Sequence, residues 1–210
     1  MSLAALADRA QALISGRTIL GITGPPAAGK TTLSLALAEE LSRRGVNTAV
    51  VGMDGFHLAG SILEARGLQG CKGAPETFDA AGFGALLERI ATEDTVYAPA
   101  FHREIEESIA HEVEISPDIQ LVITEGNYLL LGGPWERAKK QLAEVWYLSD
   151  GPHRMERLIA RHINHGKTTD EATAWAHGSD EANARLIATT AHRADLILNE
   201  DLTLASSRHG

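Results

Sequence analysis

The sequence carries one cysteine, Cys71, in 210 residues, so no disulfide can form within the chain. That absence removes the disulfide-stapled secreted scaffolds and predicts a reducing, cytoplasmic setting. Long apolar runs are also missing. Leu3, Leu6, Ala10, Leu13 and Ile14 recur at helical spacing, but Asp8 and Arg9 interrupt them. Residues 1–15 are therefore expected to form an amphipathic helix rather than a signal peptide or a membrane span. Positive charge is scarce: 19 Lys and Arg stand against 28 Asp and Glu, a formal net charge of -9, and the basic residues form no runs. Nucleic-acid binders need dense cationic surface to displace phosphate counterions. No nucleic acid and no membrane is expected as a partner, and a small molecule fits better. Internal repeats and low-complexity linkers are absent, and Cys71, in a Gly-rich stretch from Gly67 to Gly73, receives no role.

What is present suffices for one substantial core. Hydrophobic residues make up 44% of the chain, which at this length predicts one α/β domain spanning residues 1–210. Apolar, β-branched segments alternate with helix-period segments, the pattern of βαβ units around a parallel sheet. Strands are expected at Thr18–Thr23, Thr48–Met53, Leu121–Thr124, Glu144–Leu148 and Ala194–Leu198. Helices are expected at Thr31–Arg44, Ala80–Ile90 and Pro152–Ile163, with two more within Thr169–Ala188. Thr95–Phe101 and His111–Ile115 read as short extended pieces around an acidic insertion. Gly55–Glu76 reads as irregular, and the polar tail from Asn199 to Gly210 is expected to fray. Within the domain, residues 55–118 form a candidate acceptor-binding insertion and 152–178 a candidate lid. The N-terminal helix offers a surface on which a homo-oligomer could form.

Residues 24–31 read Gly24, Pro25, Pro26, Ala27, Ala28, Gly29, Lys30, Thr31, with Thr32 next. This G-x-x-x-x-G-K-T run follows an expected strand and opens an expected helix, the context that gives the motif its meaning. Gly24 and Gly29 let the backbone turn so that its amides cradle phosphates at the positive end of the helix. Lys30 supplies a mobile cation to the β and γ phosphates, and the Thr31 hydroxyl ligates magnesium. ATP with Mg2+ is the expected cofactor pair.

Two carboxylates, Asp54 and Glu125, end expected strands, where ligands collect in open α/β sheets. A carboxylate there is costly without a compensating cation or hydrogen bonds. Asp54 is assigned to the acceptor hydroxyl, which it would orient and deprotonate, and Glu125 to the magnesium shell; the pattern alone permits the reverse. Asp150, two positions past its strand, reads as a helix N-cap. On the helix from Pro152, Arg154, Arg157 and Arg161 share a face, and Gly166 and Lys167 follow. A basic helix before a Gly-containing turn suits a lid that covers the transferred phosphoryl group. Arg161 is the catalytic candidate of that face, with Arg157 and Lys167 as nucleotide contacts.

Together these landmarks resemble the uridine kinase, pantothenate kinase and phosphoribulokinase group of P-loop kinases. The resemblance runs from Thr18 to Asn199 and rests on several runs in order: the phosphate loop, Met53-Asp-Gly-Phe-His57, Lys72-Gly-Ala-Pro-Glu-Thr-Phe-Asp79, Val96-Tyr97 with His102, Thr124-Glu-Gly-Asn127, and Arg157 to Lys167. It implies a three-layer P-loop NTPase fold, a mostly parallel five-stranded sheet with helices on both faces and a helical lid. It also implies ATP-dependent phosphoryl transfer to a hydroxyl of a small metabolite, with Asp54 as base and Glu125 at the magnesium site. Tyr97, His102, Arg103 and His57 become acceptor-site candidates. Gly73 stands where uridine kinases carry a ribose-binding acid, and His102 where pantothenate kinases carry an aromatic. The acceptor is thus left open among nucleosides, pantothenate-like alcohols and sugars. The whole looks most like bacterial kinases named for nucleosides or sugars, some labelled fructose-transport-associated. The rival class is a nucleotide-dependent regulatory switch, but the N-K-x-D guanine motif is missing and Asp54 is followed at once by Gly55 rather than by a D-x-x-G element.

Overall fold

The structure, a computed structural model, describes residues 1–204. Five parallel strands form the central sheet: β1 (Thr18–Thr23), β2 (Thr48–Gly52), and three labelled below in chain order. A two-stranded antiparallel hairpin, β3 (Val96–His102) and β4 (Glu107–Ile115), stands apart from it. The sheet is completed by β5 (Leu121–Gly126), β6 (Glu144–Leu148) and β7 (Leu196–Leu198), in the spatial order β2-β5-β1-β6-β7.

Strand β1 lies at the centre and all six of its residues are buried, as expected for a parallel strand covered on both faces. Its side chains alternate between two cores. Ile19 faces a layer holding Phe83, Tyr128 and Trp135, whereas Leu20 and Ile22 face one holding Leu37, Leu41 and Trp146. Gly21 leaves room on the first face; a Cβ there would stand 2.9 Å from a Leu142 methyl.

Helix α1 (Leu3–Ala12) is capped by Ser2, whose Oγ accepts from the Ala5 amide at 3.2 Å, and buries Leu6, Ala7 and Ala10. It lies beside α2 (Lys30–Arg43), tied by Arg44 to Asp8 at 2.6 Å. Leu33, Leu37 and Leu41 make the buried stripe of α2; full burial of each contributes roughly 1.5–3 kcal/mol. The segment expected to be irregular after β2 holds a 3-10 turn at Met53–Phe56, the short α3 (Gly60–Ala65) and two further 3-10 turns. On the opposite sheet face lie α4 (Ala80–Thr92), capped by Asp79, and α5 (Glu136–Lys139).

The C-terminal third begins with α6 (Arg154–Asn164), two residues later than expected. Its N-cap position is His153, with no side-chain cap, so the expectation that Asp150 caps this helix fails. Asp150 instead lies 3.5 Å from Nε of Arg154, the first residue of the helix. Next come α7 (Thr169–Trp175), with a Thr168–Glu171 capping box, a π-helical turn at Ala176–Asp180, and α8 (Glu181–Ala188). Among the described residues no helix is long and apolar enough to cross a membrane. Of the expected fraying tail, residues 199–204 turn back so that Leu204 bridges Leu198, and residues 205–210 lie outside the described ones.

Candidate active site

A cavity of about 690 Å³ opens at the carboxyl ends of β1, β2 and β5. Its floor is the loop between β1 and α2. Gly24 (φ 150°), Ala27 (φ 62°) and Gly29 (φ 96°) turn this loop with left-handed backbone. Gly24 is needed for a close approach: a Cβ there would stand 2.3 Å from the Leu148 carbonyl oxygen. Helix α2 starts at Lys30 with no side-chain cap from Gly29, so its first amides keep their hydrogen-bonding capacity for a ligand.

Lys30 is 7% exposed, and its Nζ donates to the Pro25 carbonyl at 3.0 Å. Burial pushes its pKa down to about 8, against the pull of Glu125 and Asp54. Thr31 Oγ1 donates to Glu125 Oε1 at 3.0 Å. Burial, and then the charge of Asp54, raises the Glu125 carboxyl above the ordinary range. A hydroxyl and a carboxylate side by side at the head of a phosphate-binding helix suit a magnesium ion, which generally takes one or two protein oxygens plus phosphates and water.

Asp54 sits on the 3-10 turn that ends β2, and Arg103 Nη2 donates to its Oδ2 at 2.8 Å. His57, one turn on, donates from Nδ1 to the Asp54 carbonyl at 2.9 Å. Its ring packs at a tilt against Phe78 (centroids 4.0 Å apart) and Phe101 (4.7 Å), and burial lowers its pKa. The cleft wall opposite the loop comes from α6 and the segment after it. Arg157 reaches the Ala27 carbonyl through Nε (3.2 Å) and Nη2 (3.1 Å) and also pairs with Glu200. Arg161 faces the cleft, its pKa lowered chiefly by burial and then by Arg103. Lys167 lies 4.5 Å from the centre of the Trp175 ring.

Most of the residues singled out from the sequence thus meet in one cleft: Pro26, Ala27, Gly29 and Lys30 of the phosphate loop, Thr31, Thr32, Asp54, His57, Arg103, Glu125, Arg157, Arg161 and Lys167; Gly24, Pro25 and Ala28 shape the loop without lining the cavity. Tyr97 and His102 do not line it. The hairpin register shifts between Ala98 and Ala100, opposite His111 with its left-handed φ of 60°. Tyr97 and Phe101 would share a face of a regular strand; here Tyr97 is exposed and packs edge-on against His111 at 6.4 Å. Phe101 takes the cleft position instead. His102 is held outside between Glu104 (2.8 Å) and Glu112 (2.6 Å), hydrogen bonds that raise its pKa. Arg154, on the basic face of α6, is buried and pairs with Glu181.

Cleft residues that sequence reasoning did not assign include Lys72, Glu106, Phe101, His162 and Asp180. Of these, Lys72 belongs to the Lys72–Asp79 run of the family resemblance, the one signal that marks it. The π-helical turn brings Asp180 to His162 Nε2 at 2.6 Å, a placement no helical periodicity reveals.

A profile of the methylmalonyl Co-A mutase-associated GTPase MeaB family matches residues 3–68, the part around the phosphate loop. A Schizosaccharomyces pombe protein provisionally named a uridine kinase is 31% identical over 199 residues, covering 88% of this chain and 83% of that protein. The pantothenate kinase of Mycolicibacterium vanbaalenii is 29% identical over 208 residues, covering 87% of this chain and 67% of the enzyme. The crystal structure of a Silicibacter sp. TM1040 protein provisionally named a fructose transport system kinase superposes with a TM-score of 0.87. It is 39% identical, and the match covers 94% of this chain and 98% of that one.

Proposed function

This chain belongs to the P-loop kinase group that includes uridine and pantothenate kinases and is a small-molecule phosphotransferase; on that premise we propose how its residues divide the work. The loop from Gly24 to Thr32 would hold the phosphates of ATP through its amides and Lys30. Thr31 and Glu125 would hold magnesium, which would supply positive charge to neutralise the transferred group. Asp54 orients the acceptor hydroxyl and takes its proton. The transition state is loose, so placing the hydroxyl in line counts for more than the strength of the base.

Residues 55–118 supply the acceptor wall through His57, Lys72, Phe101 and Arg103, and residues 152–178 act as the lid. Arg161 and Lys167 would face the transferred phosphoryl group, and Arg157 would fix the lid against the loop at Ala27. Closing this segment excludes water, whose attack would waste ATP.

One observation carries the reading. Asp54, Glu125, Lys30 and Arg161 line the same cavity, and each influences the protonation of another across it. A regulatory switch is served only by the GTPase profile, which stops at residue 68. The test is ADP release over a panel of nucleosides, sugars, sugar alcohols and pantoate derivatives, beside calorimetry with MgATP. Asp54→Asn should abolish acceptor-dependent ADP release and leave MgATP binding intact. Retained turnover in that variant removes Asp54 from the base role; absent MgATP binding in the parent chain removes the kinase reading.

A further inference from the structure

The two ends of the cleft differ in how their cations are used. At the phosphate end Arg157 pairs with Glu200, but Lys30, Arg161 and Lys167 line the cavity and form no ion pair among the described residues. That is an environment for an anion. At the acceptor end both cations are already matched. Arg103 Nη2 donates to Asp54 Oδ2 at 2.8 Å, and Lys72 Nζ lies 3.0 Å from Glu106 Oε2 and 2.7 Å from the Glu106 carbonyl. Phe101 stands between the two pairs: its ring centre is 5.2 Å from Lys72 Nζ and 5.8 Å from the Arg103 guanidinium carbon.

Resting on the phosphotransfer reading, we propose that the acceptor is an uncharged compound bound through neighbouring hydroxyls across the Asp54–Arg103 and Lys72–Glu106 pairs. A hydroxyl both donates and accepts, and this wall offers both functions side by side. Asp54 and Glu106 each keep a second carboxylate oxygen. Arg103 has used one of its five N–H groups and Lys72 two of its three. An anionic acceptor adds to its hydroxyls a charged group that needs donors alone, and the cations here are already paired. It would be desolvated against Asp54 and Glu106, a penalty that paired cations do not repay. The chain's net charge of -9 disfavours its approach as well. Two sources share this chemistry: a free sugar or sugar alcohol, and the ribose of a nucleoside.

The experiment follows the His57 imidazole NMR signals of the full chain loaded with MgADP. His57 lines this end of the cleft. Ribose, ribitol, fructose, uridine, D-glycerate and inorganic phosphate are titrated separately. Saturable shifts with an uncharged diol support the proposal, and the response to uridine against ribose and fructose tells the two sources apart. Saturation with D-glycerate or phosphate alone overturns it, as does silence toward every uncharged diol. Lys72→Met should weaken the diol by about tenfold or more. Glu106→Gln, which frees the Lys72 charge, should make D-glycerate a ligand. An unchanged preference in Glu106→Gln overturns the charge argument. Should MgADP fail to bind, the kinase reading falls, and the same titrations on the nucleotide-free chain still decide the charge preference.

Discussion

Arg103 Nη2 holds Asp54 Oδ2 at 2.8 Å, joining the β3–β4 hairpin to the end of β2 at the proposed reacting centre. A carboxylate with one oxygen fixed presents the other in a defined direction. Arg103→Met should release that orientation and lower kcat about 10- to 100-fold, with the Kd for MgATP unchanged. Arg103→Lys should recover part of the loss, because it keeps the charge without the planar fork. Steady-state kinetics with an accepted substrate, beside calorimetry, reads both. A fall in MgATP affinity as large as the fall in kcat would place Arg103 outside acceptor positioning.

Lys30 predicts an unusual pH response. Its ammonium is buried, and its folded pKa of about 8 lies below the ordinary value of 10.5. Below pH 8 both states are protonated, and the ligand-free fold bears the cost of a buried charge. Between pH 8 and 10.5 the native state has released the proton while the unfolded chain still holds it. The unfolded state then binds more protons, so stability rises with pH, by about 3 kcal/mol at most from this group. Lys30→Met removes this dependence. Urea midpoints at pH 7, 8, 9 and 10 should show the variant more stable at pH 7 and the gap closing as pH rises. A constant gap would refute the buried ammonium.

The parts of the site legible in the sequence are those whose geometry is set locally. The phosphate loop is contiguous, and Asp54 and Glu125 follow apolar strands whose buried character shows in their composition. The five-stranded sheet was legible for the same reason. Three features were not. Phe101 and not Tyr97 lines the cleft, in a hairpin that slips register at Pro99, an event that period-two alternation cannot signal. Asp180 reaches His162 through a π-helical turn that breaks the 3.6-residue period. Lys72 and Glu106 meet across 34 residues, and neither has a local pattern announcing the other.

Gly24 and Gly16 both carry left-handed φ, 150° and 78°, but their surroundings differ. A Cβ at Gly24 would stand 2.3 Å from the Leu148 carbonyl oxygen, and one at Gly16 would meet nothing within 4 Å. Gly16→Ala should therefore cost about 1 kcal/mol, the backbone penalty alone. Gly24→Ala should cost more than about 3 kcal/mol or rearrange the loop and lose MgATP binding. Thermal melts and calorimetry on the pair check this; equal melting temperatures would contradict the close approach.

Glu125 accepts from Thr31 at 3.0 Å, and glutamine can keep that hydrogen bond. Glu125→Gln should then fold normally while removing a charge beside the proposed metal. The magnesium concentration for half-maximal ADP release should rise about 10- to 100-fold. In the parent chain the raised pKa of Glu125 adds a pH effect: its charged form is lost at a higher pH than for an ordinary carboxylate. The magnesium requirement should steepen on acidification in the parent and stay flatter in the variant. An unchanged magnesium requirement would remove Glu125 from the metal site.

Arg161 and Arg157 stand one turn apart on α6 and should fail in different ways. Arg157 touches the phosphate loop itself, through the Ala27 carbonyl, and is anchored by Glu200. Arg157→Ala would unfasten α6, the proposed lid, from the loop and should raise the Kd for MgATP by about tenfold, with a smaller effect on kcat. Arg161 faces the cavity with burial working against its charge. Holding a guanidinium there without an ion-pair partner among the described residues is costly to the ligand-free fold, and charge developing on the transferred group would offset that cost. Its interaction then belongs to the transition state more than to bound ATP. Arg161→Ala should lower kcat about 100- to 1000-fold while changing the MgATP Kd less than about threefold. Arg161→Lys should restore only part of the rate, because an ammonium lacks the paired donors. Equal losses of kcat and MgATP affinity in Arg161→Ala would make it a ground-state phosphate contact and leave the transition state to Lys30 and magnesium.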